Sequence, residues 1–181
     1  MNYATIKNCD IANGPGVRVS LFVSGCTHHC KGCFNEVAWD FDYGEPFTQQ
    51  TIDTILKMLS PGHVKGLTLL GGEPFEPQNQ PAILQLLRQM KQQYPEKTVW
   101  AFSGYLFDRD ILPGKLGDPE ITKEFISYVD VLVDGPFIEA KKDLMLRFRG
   151  SSNQRLIDVK QSLATGTVVL WEDWQGNKRG I

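Results

Sequence analysis

The sequence lacks any apolar run long enough to cross a membrane, and its first residues lack the apolar core of a signal peptide. Basic charge is not in excess either, because the formal net charge is −2 over 181 residues. Internal repeats and low-complexity tracts are also absent. We therefore expect a cytoplasmic protein that binds neither membranes nor nucleic acids. The length predicts one domain, large enough to bury a full hydrophobic core.

Cysteine is scarce, and its placement excludes a disulfide framework. The chain has four cysteines, and three of them, Cys26, Cys30 and Cys33, lie within eight residues in a C-x3-C-x2-C pattern. Residues so close together cannot join distant parts of a fold. In cytosolic proteins such groups bind metals or act in redox chemistry more often than they form disulfides. Cys9 stands apart, and we expect it to be a small buried or half-buried thiol.

The C-x3-C-x2-C pattern predicts a loop wrapped around a metal centre. Successive strand residues alternate faces and helical neighbours form a line, so only a loop lets three sulfur atoms turn towards one point. Thiolates suit both iron–sulfur clusters and zinc. Three ligands fit a cubane that leaves one iron open, whereas a structural zinc site needs a fourth ligand, which Cys9, His28 or His29 could supply. Three reduced thiols without metal are the remaining alternative.

A second motif follows residues 65–70, an apolar run that we predict to be a buried strand. It is the turn Gly71-Gly72-Glu73-Pro74, in which glycine would let the backbone approach a ligand closely because no Cβ intervenes. An ordinary strand-to-helix turn is the alternative. A C-x3-C-x2-C loop after the first predicted strand, with a Gly-Gly-Glu-Pro turn roughly forty residues later, resembles the radical S-adenosylmethionine (SAM) superfamily.

Further segments along the chain narrow this resemblance. They are Asn13-Gly14-Pro15-Gly16-Val17-Arg18, Gly32-Cys33-Phe34-Asn35, Phe102-Ser103-Gly104-Tyr105, Val133-Asp134-Gly135-Pro136-Phe137 and Arg149-Gly150-Ser151-Ser152-Asn153-Gln154-Arg155. The series is similar to the activating proteins of the anaerobic (class III) ribonucleoside-triphosphate reductases, which are glycyl-radical-enzyme activases. The resemblance covers roughly residues 1–160.

The resemblance implies a [4Fe-4S] cluster held by Cys26, Cys30 and Cys33, with SAM bound to the fourth iron. Reductive cleavage of SAM would give a 5′-deoxyadenosyl radical, which removes a hydrogen atom from a glycine of the large reductase subunit. The chain has no second cysteine group, so an external electron donor such as flavodoxin is expected. The alternative is a radical SAM enzyme that acts on another glycyl-radical enzyme or on a small molecule, as a deazapurine-type synthase does.

The resemblance also implies a set of SAM contacts. Gly32 and Phe34 are candidates for contact with the adenine, and Ser103 either contacts SAM or forms an ordinary turn. Asp134 could hold the ribose, hold the SAM carboxylate through a cation, or belong to a structural turn. The complete set of candidate cofactor-binding residues is Gly32, Cys33, Phe34, Gly71, Gly72, Glu73, Ser103 and Asp134.

The order of predicted elements is typical of an α/β fold with a parallel sheet flanked by helices. Helices are predicted at 48–60, 81–94 and 119–128, and a long loop at 26–47. Strands are predicted at 17–24, 65–70, 98–103, 129–133, 155–159 and 167–171. The resemblance implies a minimal, open (partial) β/α barrel of the radical SAM type. Ligand sites in such sheets lie at the carboxyl ends of the strands, where Cys26, Gly71, Ser103 and Asp134 fall.

Three stretches keep more than one interpretation. His28 and His29 either face solvent or tune the metal centre through its ligands. Residues 161–181 are a C-terminal extension of uncertain structure, and its polar end, residues 175–181, is expected to fray. A third stretch is basic and forms either a solvated surface or a docking surface for a protein partner. Its residues are Lys141, Lys142, Arg147 and Arg149.

Overall fold

The computed structural model describes residues 1–172, in which seven strands form one sheet. The strands are β1 (Asn2–Asp10), β2 (Val17–Val23), β3 (Glu45–Pro46), β4 (Val64–Gly71), β5 (Thr98–Phe102), β6 (Val131–Asp134) and β7 (Arg155–Asp158). Across the sheet they lie in the order β3-β1-β2-β4-β5-β6-β7. The predicted strands are confirmed at β2, β4, β5, β6 and β7.

The sheet is mixed, because only its central strands β2, β4, β5 and β6 run parallel. The expectation of a parallel sheet is wrong at both edges, where β1, β3 and β7 are antiparallel to their neighbours. A parallel neighbour requires a long crossover to the other end of the sheet, usually through a helix. The connection from β6 to β7 contains only the short 3-10 turn Glu139–Lys141 and stays at the carboxyl end of β6.

Two edge strands, β1 and β3, have no counterpart among the predicted strands. Much of β1 is exposed, so its sequence shows neither the alternation nor the apolar run that marks a strand. β3 is two residues long and pairs only with Asn2 and Tyr3 of β1. Among the described residues the rest of β1 has an open edge. This explains why Cys9 is exposed, and not the buried or half-buried thiol expected from the sequence.

Four α-helices pack against one face of the sheet, α1 (Gln49–Leu59), α2 (Gln80–Gln93), α3 (Pro119–Tyr128) and α4 (Val159–Thr165). The first three confirm predicted helices, and α4 was not predicted. α1 begins with a capping box, in which the side chains of Thr48 and Thr51 each accept the other residue's backbone N–H. Its predicted apolar stripe is buried in the core, at Ile52, Ile55, Leu56 and Leu59.

The two faces of the parallel strands bury different side chains. The face under the helices is aliphatic and includes Leu21 and Leu69. The opposite face carries Arg18, Thr68 and Trp100, all buried. Arg18 Nε donates to Thr68 Oγ1 at 2.7 Å, and burial lowers the pKa of this guanidinium to about 10. A cation is tolerated there because its N–H groups are paired with protein acceptors.

The end of the described chain folds back onto this second face. The predicted strand 167–171 is reduced to a single bridge between Leu170 and Ile157. Trp171 packs edge-to-face on Trp100, with ring centroids 5.0 Å apart. The stretch predicted to fray, residues 175–181, lies outside the described residues. None of the described helices is both long and apolar enough to span a membrane.

Candidate metal and ligand site

A cavity of about 460 Å³ opens at the carboxyl ends of β2, β4 and β5. Leu70 and Phe102 line it from the sheet face opposite the helices. Every candidate site residue predicted from the sequence borders this cavity except Asp134. The bordering residues are Cys26, Cys30, Gly32, Cys33, Phe34, Gly71, Gly72, Glu73 and Ser103. They thus lie together, and the contact of each with a cofactor stays a prediction.

The three clustered cysteines reach this cavity from one loop. Cys26 is buried, Cys30 and Cys33 are half-buried, and all three are free thiols. No group of three His, Cys, Asp or Glu side chains within residues 1–172 is positioned to hold a single metal ion. The three thiols border one shared cavity, and a cubane would take one thiolate at each of three irons, so the residues present fit that group; their role as ligands stays a prediction.

The cavity raises the pKa of two of these thiols. Burial raises the pKa of Cys26 to about 12, and the nearby charges of Glu73 and Glu76 act in the same direction. Burial also raises the pKa of Cys30, with the Cys33 thiol as a further cause. Without a bound metal these groups are therefore protonated at neutral pH. Since only thiolates ligate metals, metal binding here must release protons.

Residues 24–35, between β2 and the short 3-10 turn Glu36–Trp39, carry the three clustered cysteines and are called the cysteine loop. Backbone hydrogen bonds fix its path. Gly25 N donates to Ala38 O at 2.9 Å and Cys26 N donates to Trp39 O at 3.1 Å, so the loop returns beside its own start. The turn after β4 is held to the same place, because Glu73 N donates to Gly25 O at 2.8 Å. The Gly-Gly-Glu-Pro turn is therefore hydrogen-bonded to the residue directly before Cys26.

The glycines of the turn after β4 are required by this close backbone packing. A Cβ atom on Gly72 would lie 2.5 Å from Gly25 O and 2.9 Å from Ala38 O. Gly71 has φ +110°, and a Cβ atom there would lie 2.7 Å from the backbone of Val23. The backbone packing itself therefore requires these glycines, and the close approach of a ligand to the turn, which the sequence also suggests, stays a prediction.

Glu73 is buried and joins the loops that follow three neighbouring strands. Its carboxylate accepts hydrogen bonds from Ser103 Oγ at 2.9 Å and Gly104 N at 2.7 Å. Within its own turn it accepts a third from Phe75 N at 2.9 Å. His28 Nε2 lies 3.1 Å from the same carboxylate. Protein donors thus occupy both oxygens, and the side chain of Glu73 positions the walls of the cavity.

His28 connects the cysteine loop to the residues after β5. Its ring lies against Tyr105, with centroids 4.3 Å apart, and over Gly104, where a Cβ atom would approach the ring to 2.5 Å. Burial alone would lower the pKa of His28. The hydrogen bond and charge of Glu73, with other nearby carboxylates, outweigh burial and raise it. These contacts favour the interpretation in which His28 acts on the metal centre indirectly.

The candidates for a fourth zinc ligand are dispersed. His28 borders the cavity, but Glu73 already engages its Nε2 atom. His29 lies against Trp39, with ring centroids 4.7 Å apart, and is not among the cavity residues. Cys9 is exposed on β1 and does not border the cavity either.

Two buried polar residues that sequence reasoning missed also support the cysteine loop. Glu76 accepts hydrogen bonds from Thr27 N at 2.8 Å and from Thr27 Oγ1 at 2.6 Å. Asn79 Nδ2 donates to Ser24 O and to Glu73 O, each at 3.0 Å. The available signal was a second acid three residues after Glu73, beside the aromatic residue Phe75. Acids are rarely fully buried without partners.

Asp134 is buried beside β7 and is not among the cavity residues. Its carboxylate accepts from Arg155 Nε at 2.9 Å and from Phe107 N at 2.9 Å. The hydrogen bond to Asp134 is the largest of the effects that raise the pKa of Arg155. This geometry corresponds to the structural alternative weighed for Asp134, and a ligand contact there stays a prediction.

Residues 136–150, which we call the strap, form one wall of the cavity. Residues of the strap border the cavity along its length. The strap also touches the cysteine loop, because Lys31 Nζ lies 3.3 Å from Glu139 Oε2. Burial, which raises the pKa of Cys30, is partly offset by the nearby backbone N–H of Phe137 in the strap. The sequence indicated only the basic charge of this segment and not its place over the cavity.

Comparison with known proteins agrees with this arrangement of residues. The family model for 4Fe-4S single cluster domains matches residues 12–157, which include all three clustered cysteines. A protein from Vibrio cholerae is 42% identical over 156 residues, which are 85% of this chain and 96% of that protein. One from Enterobacteria phage T4 is 42% identical over 158 residues, 86% of this chain and 93% of that protein.

A third relative, from Escherichia coli (strain K12), is 41% identical over 85% of this chain and 96% of its own length. All three relatives are named anaerobic ribonucleoside-triphosphate reductase-activating protein. The identity extends over most of both chains in each case. This chain belongs to the family of anaerobic ribonucleoside-triphosphate reductase-activating proteins and contains a 4Fe-4S single cluster domain.

Proposed function

We propose that this chain generates a glycyl radical on the large subunit of an anaerobic ribonucleoside-triphosphate reductase, by reductive cleavage of SAM at a [4Fe-4S] cluster. The observation that carries the proposal is the meeting of two motifs. The thiols of Cys26, Cys30 and Cys33 border the same cavity as the turn after β4, and backbone hydrogen bonds join the two segments. The names of the relatives and the family model agree with it.

When bound, the cluster would supply the electron for reductive cleavage of SAM, and the cleaved cofactor would accept the hydrogen atom from the partner's glycine. The chain itself binds and orients. Cys26, Cys30 and Cys33 provide the thiolates. Glu73 holds the surrounding loops in register through its four hydrogen-bonding partners. The proposed SAM contacts are the other predicted residues on the cavity: Gly32, Phe34, Gly71, Gly72 and Ser103.

We also propose that the sheet is the minimal, open β/α barrel of the radical SAM type. All four described helices pack on one face of the central strands, as the outer helices of a barrel do. The opposite face and the strap enclose the cavity. The antiparallel strands β1 and β7 end the parallel part of the sheet on either side, which leaves the proposed barrel open.

The electron donor is proposed to be an external, flavodoxin-like protein. Apart from the three clustered cysteines, Cys9 is the only other cysteine in the sequence. A second cluster held by cysteine thiolates, which could relay electrons within the chain, would need several more. We therefore propose that another protein delivers the electron directly to the site.

The proposal is tested with anaerobically reconstituted protein, SAM, a reductant and the reductase large subunit. We expect methionine and 5′-deoxyadenosine to form, and the electron paramagnetic resonance (EPR) spectrum of the large subunit to acquire the signal of a glycyl radical. Omission of SAM should abolish the radical signal. Reconstituted protein that carries a full complement of iron and yet yields neither product nor radical would contradict the proposal.

A further inference from the structure

The strap ends in an exposed apolar tip. Leu144 and Met145 are each 88% exposed, and Ile138 at the start of the strap is also exposed. Phe34 of the cysteine loop is 85% exposed and borders the same cavity. Single exposed apolar residues are ordinary, but several large ones around the mouth of one site mark a surface that a partner covers.

The base of the strap is held firmly while its tip projects. Ile138 N donates to Ser151 Oγ at 3.2 Å, and Lys142 and Ser151 form a strand-like bridge. Gln154 accepts from Gly150 N at 2.9 Å and donates to Gly135 O at 3.0 Å. Binding through such a braced segment loses less conformational freedom than binding through a flexible one.

The charge of the strap indicates what kind of partner fits. Residues 136–150 contain four basic residues and two acidic ones, although the whole chain has a formal net charge of −2. Of the two acids, Glu139 is paired with Lys31. The exposed side chains of Lys141 and Lys142 form no ion pair with any residue in 1–172. Carboxylates on a partner would therefore complement this surface.

We propose that the apolar tip of the strap, together with Lys141 and with Phe34 of the cysteine loop, is the docking surface for the reductase segment that carries the reacting glycine. The inference rests on the proposed function, because only a polypeptide substrate must pass this mouth. The segment that fits is extended, places apolar side chains on Leu144 and Met145, and carries carboxylates next to them. Leu144 and Phe34 border the cavity as well, so the docking surface leads directly into the site.

The test uses Met145→Asp and Lys141→Glu, since neither side chain borders the cavity. Matched controls are Leu163→Asp on α4, where the leucine is 40% exposed, and Lys123→Glu on α3, both on helices away from the strap. The Kd for the large subunit is measured by titration without SAM, and SAM cleavage by each variant is measured without the large subunit.

Both strap variants are expected to raise the Kd about tenfold or more, as loss of an interface anchor does, while the controls bind as the wild type. SAM cleavage without the large subunit should stay within about twofold of wild type for every variant, because basal cleavage does not use the docking surface. An unchanged Kd for Met145→Asp would overturn the inference. The inference would also be overturned if Met145→Asp abolished a dimer of this chain and left the Kd for the large subunit unchanged. A second copy of the chain, and not the reductase, would then occupy the surface.

Failure of the proposed function has a different signature. It appears as an absence of SAM cleavage by the wild type, whereas failure of the docking inference appears only in the Kd values. The Kd decides the inference even for protein that is inactive.

Discussion

Individual cysteines differ in what their removal should cost. Cys30 is half-buried and borders the cavity, whereas Cys9 is exposed on β1. We predict that Cys30→Ala loses both the cluster and SAM cleavage. The two thiolates that remain leave a second iron of the cubane without a protein ligand, so the cluster is not retained. Cys9→Ala should retain both. Iron and sulfide content, visible absorbance and 5′-deoxyadenosine formation measure the outcome, and full iron content with SAM cleavage in Cys30→Ala would refute the ligand assignment.

The glycines of the chain also differ, and two of them make a matched pair. An alanine Cβ at position 72 would collide with the backbone oxygens of Gly25 and Ala38. Because these are backbone atoms, no side chain can rotate away to relieve the collision. A Cβ on Gly62 would meet nothing within 4 Å. We predict that Gly72→Ala lowers the free energy of unfolding by about 1–3 kcal/mol and reduces the iron content, because the cysteine loop must shift. Gly62→Ala should leave both unchanged.

Denaturant unfolding of the metal-free proteins and iron analysis after reconstitution separate the two effects of Gly72→Ala. If Gly72→Ala unfolds and binds iron as the wild type does, the close packing of the turn against the cysteine loop is not what requires glycine there.

Single residues of the site were accessible to sequence reasoning only in part. The nine predicted residues on the cavity belong to two motifs and to strand ends, both of which are visible in sequence. The partners of Glu73 were not, because hydrogen bonds from Ser103 and His28 join residues that are remote along the chain. Asp134 shows the converse: its position at a strand end suggested a ligand contact, but Arg155 engages its carboxylate.

At the level of elements, β1 is joined to the sheet through a carboxylate at its end. Asp10 accepts from Ser20 Oγ of β2 at 2.6 Å, from Ala12 N at 2.9 Å and from Asn13 Nδ2 at 2.6 Å. Burial alone would raise the pKa of Asp10, but these hydrogen bonds together outweigh it and lower the pKa below its ordinary value. The folded state therefore binds a proton at Asp10 less readily than the unfolded state does.

This shift predicts a pH dependence. A carboxyl group whose pKa is lowered by folding contributes stability above its unfolded pKa, and this contribution is lost as the pH falls through the folded value. Asp10→Asn should therefore be less stable than the wild type at neutral pH, with a difference that shrinks below about pH 4. Denaturant unfolding of both proteins from neutral to acid pH measures it. A difference that stays constant across the range would contradict the assignment.

Elements were predicted well where they bury a regular apolar pattern. α1 was predicted with its Thr48 cap because the stripe and the capping residues are adjacent in sequence. β1 was missed because an exposed edge strand has no such pattern. The direction of β7 was also missed, since the apolar pattern of a strand is the same whichever way it runs.

On the scale of the whole molecule, one face of the sheet packs against the helices and the other face lies under the cavity. Helices and aliphatic side chains fill the first, and the cysteine loop, the turn after β4 and the strap enclose the cavity on the second. Family resemblance located the motifs of this site, and the parallel order of β2, β4 and β5 explains why they meet. The strap could not be anticipated, because its place over the cavity depends on the return of the chain from β6 to β7.

Low-temperature EPR of the anaerobically reconstituted, dithionite-reduced protein, with and without SAM, tests whether a [4Fe-4S] cluster here has one iron open to SAM. We predict the signal of a reduced [4Fe-4S] cluster whose g values change when SAM is added. A cluster signal that is indifferent to SAM would refute the open position, and protein that binds stoichiometric zinc and shows no cluster signal would refute the cluster itself.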